Sequence, residues 1–185
     1  MDYQMNDYVV YKSSGVCQVV SKEAQSPDGV TEIMYYKLKP LSEPNSTYYV
    51  PVASAGEKLR ALLTREEVLE LIDGMPRSED ESVWTDNRRE RREMYAQILK
   101  GDDQKALVQL ISSLYFRKQS SEANGKRFSS MDENAMKNAE NLMLQEFGVV
   151  LGLEPENVRK FIIAFLLAIC TKYLPNFALS FCLKR

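Results

Sequence analysis

Histidine is absent from all 185 residues. Its absence excludes Ser–His–acid triads, His-containing metal sites and imidazole acid–base chemistry. Cysteine occurs three times, as Cys17, Cys170 and Cys182. That is too few, and too scattered, for a structural zinc site or a disulfide framework. Cys17 lies in a strand-like run and is expected to be a small buried hydrophobe. There is no Gly-rich phosphate loop and no nucleophile motif. The carboxylate pairs Asp102-Asp103 and Asp132-Glu133 read as helix caps. No enzymatic activity, cofactor or metal is therefore expected. The opening "MDYQMNDYVVYK" is polar and is not a secretory signal, so a reducing cytoplasm is the expected location.

Tryptophan occurs once, as Trp84, and it stands beside the densest positive charge in the chain, "SVWTDNRRERREMY". The overall net charge of −2 conceals a sorting along the sequence. Residues 1–70 carry a net −3, residues 71–83 another −3, residues 84–127 a net +4, and residues 128–185 balance to zero. A basic block that begins at the tryptophan is the electrostatic footprint a phosphate backbone requires.

Hydrophobic content of 44% and charged content of 27% are those of a packed globular protein. The first sixty residues read as short strands. "YVVYKSSGVCQVV" holds two β-rich runs around the turn Ser13-Ser14-Gly15, and Pro27-Asp28-Gly29 precedes "VTEIMYYKLKP". "TYYVPV" follows a polar loop. Four or five strands in so short a stretch predict a small antiparallel barrel or strongly bent sheet. The period then changes. Thr64 and Glu67 form a capping box for a short helix ended by Gly74 and Pro76, and "GMPRSEDES" is the linker candidate. Beyond it the chain reads as helical. Thr85 or Asp86 is the expected N-cap of a helix reaching Lys100, and Asp102 or Asp103 caps the next, with the stripe Leu107, Leu110, Ile111 and Leu114. Ser130 and Glu133 predict a second capping box before a helix to about Leu151, and Pro155 opens a last one. The fold class is α+β in two domains. Residues 1–60 form the β domain, 61–80 a short helix and linker, 81–160 the helical domain and 161–185 an apolar tail.

At 100° per residue, Arg88, Arg89, Arg91 and Arg92 fall within an arc of about 160°, with Asp86, Glu90 and Glu93 opposite. Residues 85–93 contain no apolar side chain. The first two turns are thus expected to project beyond the body, with Trp84 at the tip. Arginines at a helix end grip phosphates, and a flat ring beside them can wedge into an unstacked base step. The competing reading is a solvated helix face with Trp84 as a hydrophobic staple. Lys126 and Arg127, after Arg117 and Lys118, could extend a phosphate track from a helix C-terminus that already favours cations.

Taken in succession, "DYVVYKSSGVCQV", "YYKLKP", "STYYVPV", "VWTDNRRERREMYAQILKGD", "ALVQLISSLYFRKQ" and "MDENAMKNAENLMLQEFGVVLG" resemble the CarD family of bacterial transcription factors. The likeness runs from residue 1 to about 160. It implies an amino-terminal Tudor/SH3-like barrel that binds the RNA polymerase β subunit, and an all-α domain that reaches promoter DNA. In the family a tryptophan matching Trp84 wedges into the minor groove at the upstream edge of the melted bubble and slows its collapse, without reading sequence. By the same likeness Arg88, Arg89, Arg91 and Arg92 match the family's basic segment as a block. The polymerase-binding strand corresponds to Thr47, Tyr48, Tyr49 and Val50, with tyrosines where some members carry a basic residue. A monomer is expected. The tail "FIIAFLLAICTKYLPNFALSFCL" departs from the family. Lys172 and Pro175 interrupt it, so a core helix with an apolar extension is expected, and not a membrane span. The alternative function is a protein-interaction adaptor without DNA contact, associated with membrane through that tail.

Overall fold

A computed structural model describes residues 2–27, 29–75 and 84–173. Five antiparallel strands make one sheet: β1 (Tyr8–Tyr11), β2 (Val16–Gln25), β3 (Ile33–Pro40), β4 (Tyr48–Pro51) and β5 (Leu59–Ala61), in the order β4-β3-β2-β1-β5. The sheet is open. β4 and β5 are its two edges and do not pair, which corrects the expected closed barrel. The turn at Ser13-Ser14-Gly15 is a single 3-10 turn, Lys12–Ser14, and Gly15 at φ 76° lets β2 return alongside β1. Gly29 at φ 73° closes the second turn, while Asp28 lies outside the described residues.

Why β1 and the start of β2 carry apolar residues side by side becomes clear from their register. Val9 pairs with Cys17, and both point into the core of the sheet with Tyr36, Leu38 and Val50. Val10 pairs with Val16, and both point the other way. They are buried too, and line a small cavity together with Ile98, Leu99, Leu107 and Leu142 of the helical part. A sheet covered on both faces loses the in–out alternation of an exposed one. Further along β2 the pairing with β3 slips between Val19 and Ser21, and side chains beyond the slip alternate between half-buried and exposed.

Cys17 is fully buried in this core, and burial pushes its thiol pKa up to about 12. Alkylation of the native protein at pH 8 is expected to spare Cys17 and modify it only after denaturation. Mass spectrometry of the labelled peptide checks this, and rapid native labelling would contradict the buried assignment. The raised pKa also sets a sign. The unfolded thiol, near its ordinary value of 9.0, ionises first. Cys17 therefore withdraws stability as pH rises from about 9 towards 12.

The described residues hold six α-helices, α1 (Ala55–Lys58) between β4 and β5 and, after the sheet, α2 (Arg65–Asp73), α3 (Arg88–Lys100), α4 (Gln104–Ala123), α5 (Ser130–Leu151) and α6 (Pro155–Tyr173). The capping box at α2 is complete, Thr64 accepting from the Glu67 N–H and Glu67 from the Thr64 N–H. Val68 and Ile72 of α2 are buried with Leu110, Leu114, Phe147 and Val158, so packing makes α2 part of the helical body. Asp103 caps α4 by accepting from the Ala106 N–H. Two caps differ from expectation. Asn87, and not Thr85 or Asp86, caps α3. At α5 the N-cap is Ser129 without a side-chain bond, and no box forms from Ser130 and Glu133. The helix opened by Pro155 continues through the start of the apolar tail, burying Ile162. Most of the linker candidate and residues 174–185 lie outside the described residues. Among the described residues no helix is long and apolar enough to cross a membrane.

The sheet and the helical body are joined by charge as well as apolar contact. Arg60 on β5 donates to both carboxylate oxygens of Glu146 on α5, at 2.6 and 2.8 Å. Glu146, 2% exposed, also accepts from the Leu63 N–H at 3.0 Å. A side chain at Gly15 would meet Gln145 Oε1 at 2.6 Å, so α5 sits directly on the β1–β2 turn.

Candidate nucleic-acid interface and docking edge

The start of α3 is organised by Asn87. Its Oδ1 accepts from the N–H groups of Arg89 and Glu90, and its Nδ2 donates to Glu90 Oε1 at 2.7 Å. Glu90 is thereby folded back over the helix mouth, where a carboxylate complements the dipole. Arg88 and Arg92 are exposed. Arg89 is exposed as well and donates to Glu93 Oε1 at 3.0 Å, one turn on. An exposed pair of this kind is weak and leaves the guanidinium available to a stronger anion.

Arg91 does not belong with them. It is 8% exposed, with Nε on Asp132 Oδ1 at 3.1 Å and one terminal nitrogen on the Thr85 carbonyl at 2.6 Å. Burial and pairing thus set Arg91 apart from the three exposed arginines of the block. The signal was present in the sequence: Arg91 lies three, four and seven residues before Met94, Tyr95 and Ile98, on the side of α3 that faces the body. A charge tolerated there needs a buried partner, and Asp132 supplies it from the first turn of α5. Asp132 is 1% exposed and also accepts from the Tyr95 hydroxyl at 3.1 Å, so it is a buried hub and not a cap. Burial, reinforced by the neighbouring Asp132 charge, drives the Tyr95 pKa well above its ordinary value.

Trp84 is half-buried against the helical core. Two guanidiniums stack on its ring, Arg91 Cζ at 4.1 Å and Arg117 Cζ at 3.8 Å from the centroid. The ring is therefore laid back on α3 and α4, which corrects the expected projecting tip. Arg117, on the inward side of α4, Tyr95 and Asp132 are the members of this cluster that sequence reasoning left out of the site. Lys126 and Arg127 are exposed in the loop after α4. Arg127 is near enough to Glu133 to help Lys137, the main cause, hold that carboxyl below its ordinary pKa.

The predicted polymerase-binding residues occupy an edge of the sheet. β4 pairs with β3 on one side only, Tyr36 opposite Val50 and Lys37 opposite Tyr49. Thr47 is exposed just before it. Tyr48 is half-buried against the Tyr11 ring, with centroids 5.3 Å apart. Tyr49, 43% exposed, is buttressed edge-on by Tyr35 and lies under Lys37 Nζ. Val50 is 1% exposed and belongs to the core of the sheet.

The class defined by this arrangement is an α+β protein with an open antiparallel sheet, an aromatic edge strand and a helical body that carries an arginine-stacked tryptophan. Residues 3–63 match the family model described as CarD-like/TRCF RID domain. The likeness to CarD-like proteins is thus carried by the 61 of 185 residues that form the sheet. The matched segment covers all five strands and ends just before α2. A search of curated proteins finds no match to the chain.

Proposed function

We propose that the chain is a non-enzymatic transcription factor that docks on the RNA polymerase β subunit and stabilises the open promoter complex. The observation that carries this reading is the family match over the sheet, supported by β4 as an edge strand. A strand edge offers alternate N–H and C=O groups to an added strand, while exposed side chains supply specificity. Tyr49 is the exposed aromatic of β4. Arg88, Arg89 and Arg92 then hold the DNA backbone beside the melted bubble, with Lys126 and Arg127 as outlying contacts. The edge of Trp84 meets the minor groove at the upstream fork. Phosphate and wedge contacts read no sequence, so binding to DNA alone is weak and falls steeply with salt. The protein acts as a monomer on polymerase.

Capture of the chain by an isolated polymerase β fragment, and the lifetime of promoter open complexes with and without it, test the proposal. No capture and an unchanged lifetime overturn it. Tyr49→Ala is expected to weaken capture about tenfold while thermal stability is retained, as for an aromatic hot spot at an interface. Undiminished capture removes β4 from the docking site.

The half-burial of Trp84 and the pairing of Arg91 favour a second reading, an adaptor that binds proteins alone. It predicts that Trp84 fluorescence is indifferent to forked DNA and that open complexes are unaffected.

A further inference from the structure

Trp84 is held in place by chemistry that its neighbours on α3 do not share. Of the four arginines at 88, 89, 91 and 92, Arg91 is the one that is buried. Its donors are committed to a carboxylate on a different helix and to the carbonyl of Thr85, the residue next to Trp84. Its π face lies 4.1 Å from the indole centroid. One guanidinium thus fixes both the backbone leaving Trp84 and the ring itself. Asp132 fixes the guanidinium in turn, and it is oriented by the Tyr95 hydroxyl at 3.1 Å. Arg117 lies against the same ring at 3.8 Å. A planar guanidinium is suited to this double duty, because it stacks on a ring through its face while donating hydrogen bonds in its plane. A lysine ammonium cannot do both.

We infer that Arg91, locked by Asp132 and Tyr95, is a positioning residue that holds Trp84 in a preset orientation and makes no DNA contact of its own. The inference rests on the proposed role of Trp84 at the promoter fork, and it explains what the buried pair is for. A ring that enters a base step must otherwise be ordered at the moment of binding. A ring already stacked on two guanidiniums has met most of that cost beforehand. With guanidiniums stacked on its face, the ring would meet DNA through its edge.

Trp84 is the sole tryptophan, so its emission reports on the clamp without any partner present. Arg91→Lys keeps the charge and removes the stacking plane. The double change R91M with D132N removes both buried charges together, which avoids stranding either one and keeps a hydrogen-bonding group beside Tyr95. In both proteins, acrylamide quenching of Trp84 is expected to rise about twofold and its anisotropy to fall, consistent with loss of a cation–π contact. In reconstituted transcription, R91K is expected to shorten open-complex lifetime, and R91K combined with Trp84→Ala to be no worse than Trp84→Ala alone. Quenching that matches wild type in both folded variants overturns the inference. So does a double variant whose loss is the product of the two single losses, since Arg91 would then touch DNA independently. If Trp84→Ala by itself leaves the lifetime unchanged, the promoter role fails and the preset orientation loses its purpose. The quenching measurement still decides whether Arg91 holds the ring.

Discussion

Replacing Arg60 with alanine is expected to destabilise the protein by about 3 kcal/mol, near the lower end of the range for breaking one side of a buried ion pair. Arg60 and Glu146 form a bidentate pair, with nitrogen–oxygen distances of 2.6 and 2.8 Å. Burial disfavours the Arg60 charge, but the hydrogen bonds and charge of Glu146 outweigh it and raise the guanidinium pKa. The side-chain exposures are unequal, 22% for Arg60 and 3% for Glu146. Alanine at 60 therefore strands the more buried member, leaving its carboxylate with the Leu63 N–H. Glu146→Gln is milder, because the amide still accepts from Leu63 and Arg60 still reaches water. Urea denaturation checks both. A change below about 0.5 kcal/mol for Arg60→Ala, the size of an ordinary surface substitution, would show that water enters freely and the pair is not structural. Arg60 sits on β5 and Glu146 on α5, so the same variant loosens the coupling between the sheet and the body that carries Trp84.

Trp84→Ala is expected to shorten the lifetime of promoter open complexes about tenfold. The magnitude follows from base–aromatic contacts, worth ~1–3 kcal/mol, with each ~1.4 kcal/mol a factor of ten. The substitution also removes a half-buried ring from the helical core, so some loss of stability accompanies it, and lifetimes must be measured well below the variant's melting temperature. Capture on the polymerase β fragment should be unchanged, because Trp84 lies on the helical body and β4 on the sheet. A folded variant with normal docking and normal lifetime would eliminate the wedge.

The strands, the helix order, the α2 capping box and the Asp103 cap were legible because each is a local signal, a turn residue or a cap within a few positions of the element it bounds. Sheet closure was not legible. Whether β4 meets β5 depends on how the ends of the sheet are occupied, and the helical body takes one face of β1 and β2. The arginine block illustrates the boundary. An angular plot assembled four arginines on one arc, yet the same arc contains the directions of Tyr95 and Leu99. Spacing turns Arg91 toward the body, but its partner Asp132 stands 41 residues further along and no local pattern announces it.

By itself the sequence determined the alternation of a β segment with a helical one, the basic block that begins at Trp84, and the exclusion of histidine chemistry. These depend on composition and short-range spacing. The tertiary structure alone decided that the sheet stays open with β4 at its edge, that Arg60 joins the two parts, and that Trp84 lies back against two guanidiniums. Those outcomes depend on which distant side chains can satisfy a buried charge, a constraint that acts through space and leaves no period along the chain.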